Sequence, residues 1–155
     1  MAKNNTFGMN VHKARLARMR RAIRNEANLQ LWNAGELVRI DAQESIKEGA
    51  ISGSGHVPSL PGQPPNADTH NLDLSIDTRI NEGGKTVTVV ARARYAAALE
   101  FGTSKMAARP YLRPALQRNK NRLVMGMVQA VQNTVRVYKS DSAFDSARSR
   151  YENSD

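Results

Sequence analysis

The chain contains no cysteine. That excludes disulfide staples, thiolate metal sites and a cysteine nucleophile, and it suits folding in a cytoplasm. Aromatic residues are scarce at 5%, so a core must be built from Ala, Val, Leu, Ile and Met. No apolar run approaches the roughly 20 residues that cross a bilayer. The first residues, among them Asn4, Asn5 and Asn10, lack the apolar centre of a signal peptide. Acids are missing from two long stretches: residues 1–25 carry seven basic residues and residues 101–140 carry eight, with no acid in either. Those stretches hold most of the 23 Lys and Arg of a chain with net charge +9. Segregated charge of this kind makes basic faces, which attract acidic protein surfaces or nucleic-acid phosphates.

At 155 residues the chain is long enough for one domain with a real core. Residues 11–48 predict a long helix, with Leu16, Met19, Ile23, Ala27, Leu31, Ala34, Leu37 and Val38 on one stripe. Arg15, Arg18, Arg21 and Arg24 wrap the other side. Gly35 marks a kink or a close packing point, and Gly49 a stop. Residues 49–71 are rich in Gly and Pro and predict a long loop, functional or mobile. Two strands follow, 72–80 and 85–93, joined by the turn Asn81-Glu82-Gly83-Gly84 as a β-hairpin. Two strands alone are marginal, so they must pack on helices or join a larger sheet. A short helix over 95–101 ends at Gly102, a glycine suited to a left-handed cap. Pro110 and Pro114 set up a second long helix reaching about Tyr138, with Leu116, Leu123, Val124, Met127, Val128, Val131 and Val135 as its apolar stripe. The fold class is therefore α+β. Residues 1–10 form an arm, 11–139 a single domain and 140–155 a Ser-, Asp- and Arg-rich tail that frays or docks on a partner.

Reactive constellations are sparse. Gly84-Lys85-Thr86 resembles the end of a phosphate loop, but Arg79 stands where the motif needs glycine and Lys85 falls in a strand. His56, Asp68 and His70 share the long loop, yet no regular element fixes their spacing as a metal site requires. Glu100 is the lone acid of an apolar and basic stretch. No base or nucleophile recurs beside it, so a structural role is expected, with Arg109 or Arg113 offering a planar fork within the chain or across a subunit boundary. Aromatics are too few for a base-stacking platform. The basic helices can contact phosphates without reading sequence, which makes non-specific nucleic-acid binding the alternative function.

Three segments resemble one family. They are the Pro/Gly loop running into Thr69-His70-Asn71-Leu72-Asp73-Leu74-Ser75-Ile76, then Tyr95-Ala96 through Leu99-Glu100-Phe101-Gly102-Thr103-Ser104-Lys105-Met106, then Ala108-Arg109-Pro110-Tyr111-Leu112-Arg113-Pro114-Ala115. Their order and spacing over residues 58–135 are similar to those of the tail-completion, or head–tail joining, proteins of long-tailed bacteriophages. His70 stands where that family usually has glycine, and Tyr111 where Phe is common. The resemblance implies a non-enzymatic virion component that needs no cofactor or metal. It would form a hexameric homo-oligomeric ring in the neck, between head-closure proteins and the tail terminator or tube, around the DNA channel. It also implies a subunit or partner interface near Tyr95, Glu100, Phe101, Gly102, Thr103, Arg109, Pro110, Tyr111 and Arg113. The basic residues Arg15, Arg18, Arg21, Arg24, Arg118, Arg122 and Arg136 are expected to meet a neighbouring ring or passing DNA.

Overall fold

The computed structural model describes residues 5–81 and 83–152, with side chains from 9 to 81 and 83 to 140. The order is α1 (Asn5–Lys47), a 3-10 turn (Gly53–Gly55), α2 (Asn71–Leu74), β1 (Ile76–Ile80), β2 (Val87–Ala91), α3 (Ala96–Phe101) and α4 (Leu112–Glu152). The α+β class holds, with two long helices around a two-stranded antiparallel sheet.

Several boundaries differ from the sequence expectation. Residues 5–10, expected as an arm, are the first turns of α1. Residues 140–152, expected to fray, continue α4, and no Gly or Pro interrupts them. The strand predicted from residue 72 begins at Ile76, because 72–74 form the helical turn α2. A helical turn buries the adjacent Leu72 and Asp73 and leaves Leu74 74% exposed, where alternation would have buried Leu72 and Leu74 together. The second strand is trimmed to 87–91.

The chain divides into two compact units, Leu31–Val124 and the two terminal regions, and each long helix contributes to both. In the terminal unit the two helical segments run antiparallel. Arg15 donates to the Tyr138 carbonyl at 2.9 Å, while Gly126 lies near Gln30. Among its described side chains only Ala130 is fully buried, and Leu16, Leu29, Met125, Val128 and Val137 stay largely exposed.

The central unit holds the main core. Val38, Ala42 and Ile46 of α1 meet Leu72, Ile76, Ala96, Tyr111 and Ala115. Ile76, Thr78, Val87 and Val89 share the sheet face turned toward α1, while Asp77, Arg79 and Thr88 occupy the other face. Gly35 lets the helix approach: a Cβ there would collide with Val87 Cγ1 and come within 2.8 Å of Thr78 Cγ2. Of the two roles expected for Gly35, close packing is the observed one. At the hairpin end, the Asn81 side chain accepts the N–H groups of Lys85 and Thr86 at 2.9 and 3.0 Å. An asparagine thus closes the turn with its own carbonyl.

The long loop is stitched down at several points. The Ala67 N–H donates to the Ile46 carbonyl at 3.0 Å, and the Gly62 N–H to Ala108 at 2.9 Å. The Gly53 N–H donates to Asp68, and the Asn66 amide to the Val57 carbonyl. Ile51, Val57 and Leu60 nevertheless project into solvent.

Candidate functional site

The segment from Tyr95 to Ala115 forms an elbow joining α3 to α4, and Glu100 is its fastener. Its buried carboxylate accepts three backbone N–H groups at the start of α4: Tyr111 at 2.9 Å, Leu112 at 3.0 Å and Arg113 at 2.9 Å. A helix start normally leaves its first amides without partners. Here the next residue, Pro114, has no N–H, and Ala115 donates back to the Tyr111 carbonyl. Every donor at this end is therefore met or absent. The negative carboxylate also faces the positive end of the helix dipole.

Within the chain, Glu100 forms no side-chain pair with Arg109 or Arg113. Three backbone amides occupy the carboxylate instead. Arg109 turns elsewhere: its Nε donates to the Ser59 carbonyl at 3.1 Å, and its own N–H to the Leu99 carbonyl at 2.7 Å. It ties the elbow to the long loop. Arg113 gives its N–H to Glu100 and keeps its side chain in solvent.

Gly102 closes α3 at φ 75° and ψ 179°, a region open to glycine almost alone. The positive φ was expected, but the extended ψ takes it outside the left-handed helical cap. A Cβ there would lie 2.9 Å from the Ala108 nitrogen. Thr103 and Met106 then pair across a tight turn, N–H to carbonyl at 2.8 Å. Pro110 leads the chain into Tyr111, which is 1% exposed. The Tyr111 hydroxyl is buried with no hydrogen-bond partner, and burial pushes its pKa well above the ordinary tyrosine value, with the nearby Glu100 charge adding to the rise. Phe101 is the opposite case, an aromatic left 77% exposed. Tyr95, at the N-cap of α3, is also exposed.

Phe101 stands at the rim of an open groove of about 720 Å³. Ala34 and Val38 of α1, Val87 and Val89 of β2, and Leu116 and Leu123 of α4 give it an apolar lining. Sequence reasoning missed this groove. Its walls come from four segments separated in the chain.

The expected basic residues are divided between the two units. Arg15, Arg18, Arg21, Arg24 and Arg136 belong to the terminal unit, Arg118 and Arg122 to the central one. Arg18, Arg21, Arg24, Arg122 and Arg136 are exposed. Arg118 instead forks onto Asp41, with Nη2 to Oδ1 at 2.6 Å, and Asn119 donates to the same carboxylate. That carboxylate raises the Arg118 pKa further.

His56, Asp68 and His70 each have a different neighbour: the Ile51 carbonyl, the Gly53 N–H and Asp73 respectively. Among the described residues no three His, Cys, Asp or Glu side chains gather as metal ligands. Among the described residues His70 is the one non-glycine residue with positive φ, at 58°. It occupies the position where the resembled family has glycine. The segments that carry the resemblance are thus the elbow and the turn before β1. Comparison of the chain with protein-family models, with curated proteins and with solved structures yields no match.

Proposed function

We propose that this protein is a structural joining component of a long-tailed phage particle. It assembles as a hexameric ring in the neck, between head-closure proteins and the tail terminator or tube. The observation that carries the reading is the elbow. Its chemistry, Glu100 above all, is spent on holding backbone in place, and among the described residues no nucleophile–base pair stands beside it. What the elbow offers outward is surface: Phe101, Tyr95 and the Arg113 guanidinium.

Support for assembly comes also from the terminal unit. An isolated pair of helices cannot bury both of its own apolar stripes, and exposed stripes of this size mark interaction surfaces. A closed ring supplies the heterologous contacts that would cover them. Among the described residues no helix is long and apolar enough to cross a membrane.

The test is the mass of the purified protein, alone and with tail tubes, by light scattering and negative-stain imaging, beside a DNA-binding control. Rings, or decoration of one tail end, are expected. A monomer that ignores tails and binds DNA with a steep salt dependence would replace this reading with non-specific nucleic-acid binding through Arg18, Arg21 and Arg24.

A further inference from the structure

We infer that the outer edge of β2 is a strand-addition site for an extended, acid-flanked apolar segment of a different protein. The site is a property of the central unit and does not depend on the joining role. The hairpin register places Ser75 opposite Arg92 and Asn81 opposite Thr86, by extension of the pairs Ile76–Ala91 and Ile80–Val87. Both flanking pairs are hydrogen-bonded: Arg92 N–H to the Ser75 carbonyl at 3.1 Å, and Asn81 N–H to the Thr86 carbonyl at 3.0 Å. In an antiparallel ladder the backbone groups alternate in direction. Thr88 and Val90 therefore face β1, and the N–H and C=O groups of Val87, Val89 and Ala91 face away from it. Among the described residues no third strand lies along that edge. Val87, Val89 and Ala91 also line the apolar groove.

Unpaired ladder groups call for an extended backbone, and the apolar groove calls for apolar side chains on alternate residues. Charge selects the partner. Between Gly83 and Lys139 the sequence contains one acid, Glu100, and its carboxylate is buried against three amides. The accessible charges on β2, α3 and the first turns of α4 are then positive, with Arg94 and Arg113 exposed. A second copy of this chain is a poor occupant. Among the described residues its one acid-bearing strand is β1, whose Ile76 and Thr78 are buried and whose Asp77 is held by Arg92. The occupant is therefore an acidic strand from another protein.

The probe is the peptide acetyl-Glu-Val-Thr-Val-Thr-Val-Glu-amide, added to the full-length, nitrogen-15-labelled protein. Amide exchange at Val87, Val89 and Ala91 should slow about tenfold or more on binding, while Thr88 and Val90, already bonded within the hairpin, change little. A Lys-flanked version should bind about tenfold more weakly, and a version with two central prolines not at all. Phe101→Ala, at a residue the fold leaves exposed, should weaken the Glu-flanked peptide several-fold. The inference is overturned if no peptide slows those three amides, or if the Lys-flanked peptide binds equally well. It is also overturned if the amides are already slow in the peptide-free protein at twice the monomer mass, which would make a second copy the occupant.

Discussion

At the scale of single residues, Tyr111 and Glu100 show opposite ways of burying a polar group. The Tyr111 hydroxyl lies in the core with nothing to bond, and an unmet buried donor costs about 1–3 kcal/mol. Tyr111→Phe should therefore raise stability by about 1 kcal/mol, seen as a higher urea midpoint at unchanged slope. The same burial fixes a pH dependence. The folded-state pKa lies above the ordinary value of 10.0, so the neutral phenol is favoured in the fold. Its contribution is complete below pH 10 and declines as the pH rises above it, because only the unfolded chain ionises there. Tyr111→Phe should flatten that alkaline decline.

Glu100 is fully engaged. Glu100→Ala would strand three amides and should cost about 3 kcal/mol, with Glu100→Gln retaining part of the capping. Urea unfolding of the two variants checks this. Equal stability of the Ala variant and the parent would show that the cap contributes nothing.

At the scale of elements, close approach decides more than propensity. Gly35 sits inside a long helix, where Ala is better by about 1 kcal/mol in isolation. Yet the added methyl would meet two β-branched side chains of the sheet, Val87 and Thr78, which have little rotamer freedom to yield. Gly35→Ala is expected to destabilise by about 1–3 kcal/mol, against the helix scale. An increase in thermal midpoint would show that the helix moves off the sheet easily. The elbow follows the same logic. The backbone of Gly102 has the conformation and the near contact with Ala108 that a side chain would forbid. His70 adopts positive φ despite its side chain, beside Asp73 at 3.2 Å.

At the scale of the whole molecule, assembly is the property to measure. The long loop has fixed points at Gly53, Gly62 and Ala67. Hydrogen exchange of the lone subunit should protect those three amides. The stretch carrying Ile51, Val57 and Leu60 should gain protection only in the proposed ring. Equal protection in both states would remove the loop from the list of assembly contacts.

Much of this architecture was legible in the chain itself. The period of Leu16, Met19 and Ile23 requires a helix, the β-branched run after Gly84 requires a strand, and Pro110 and Pro114 bracket a helix start. These are local signals, set by backbone sterics and by the spacing of apolar side chains. The long-range choices were not legible. The sequence marked Glu100 as a structural acid but could not say that its partners are amides eleven to thirteen residues onward, because every peptide carries the same N–H. It predicted a strand from Leu72, where a helical turn buries Leu72 and Asp73 and leaves Leu74 exposed. Nor did it reveal the groove beside β2, since an open space is defined by the elements around it. What the sequence determined is the two long helices, the hairpin and the sign of their charge. Only the tertiary structure decided which polar groups meet, which stay unmet, and which edge is left open, since those outcomes depend on distances between segments far apart in the chain.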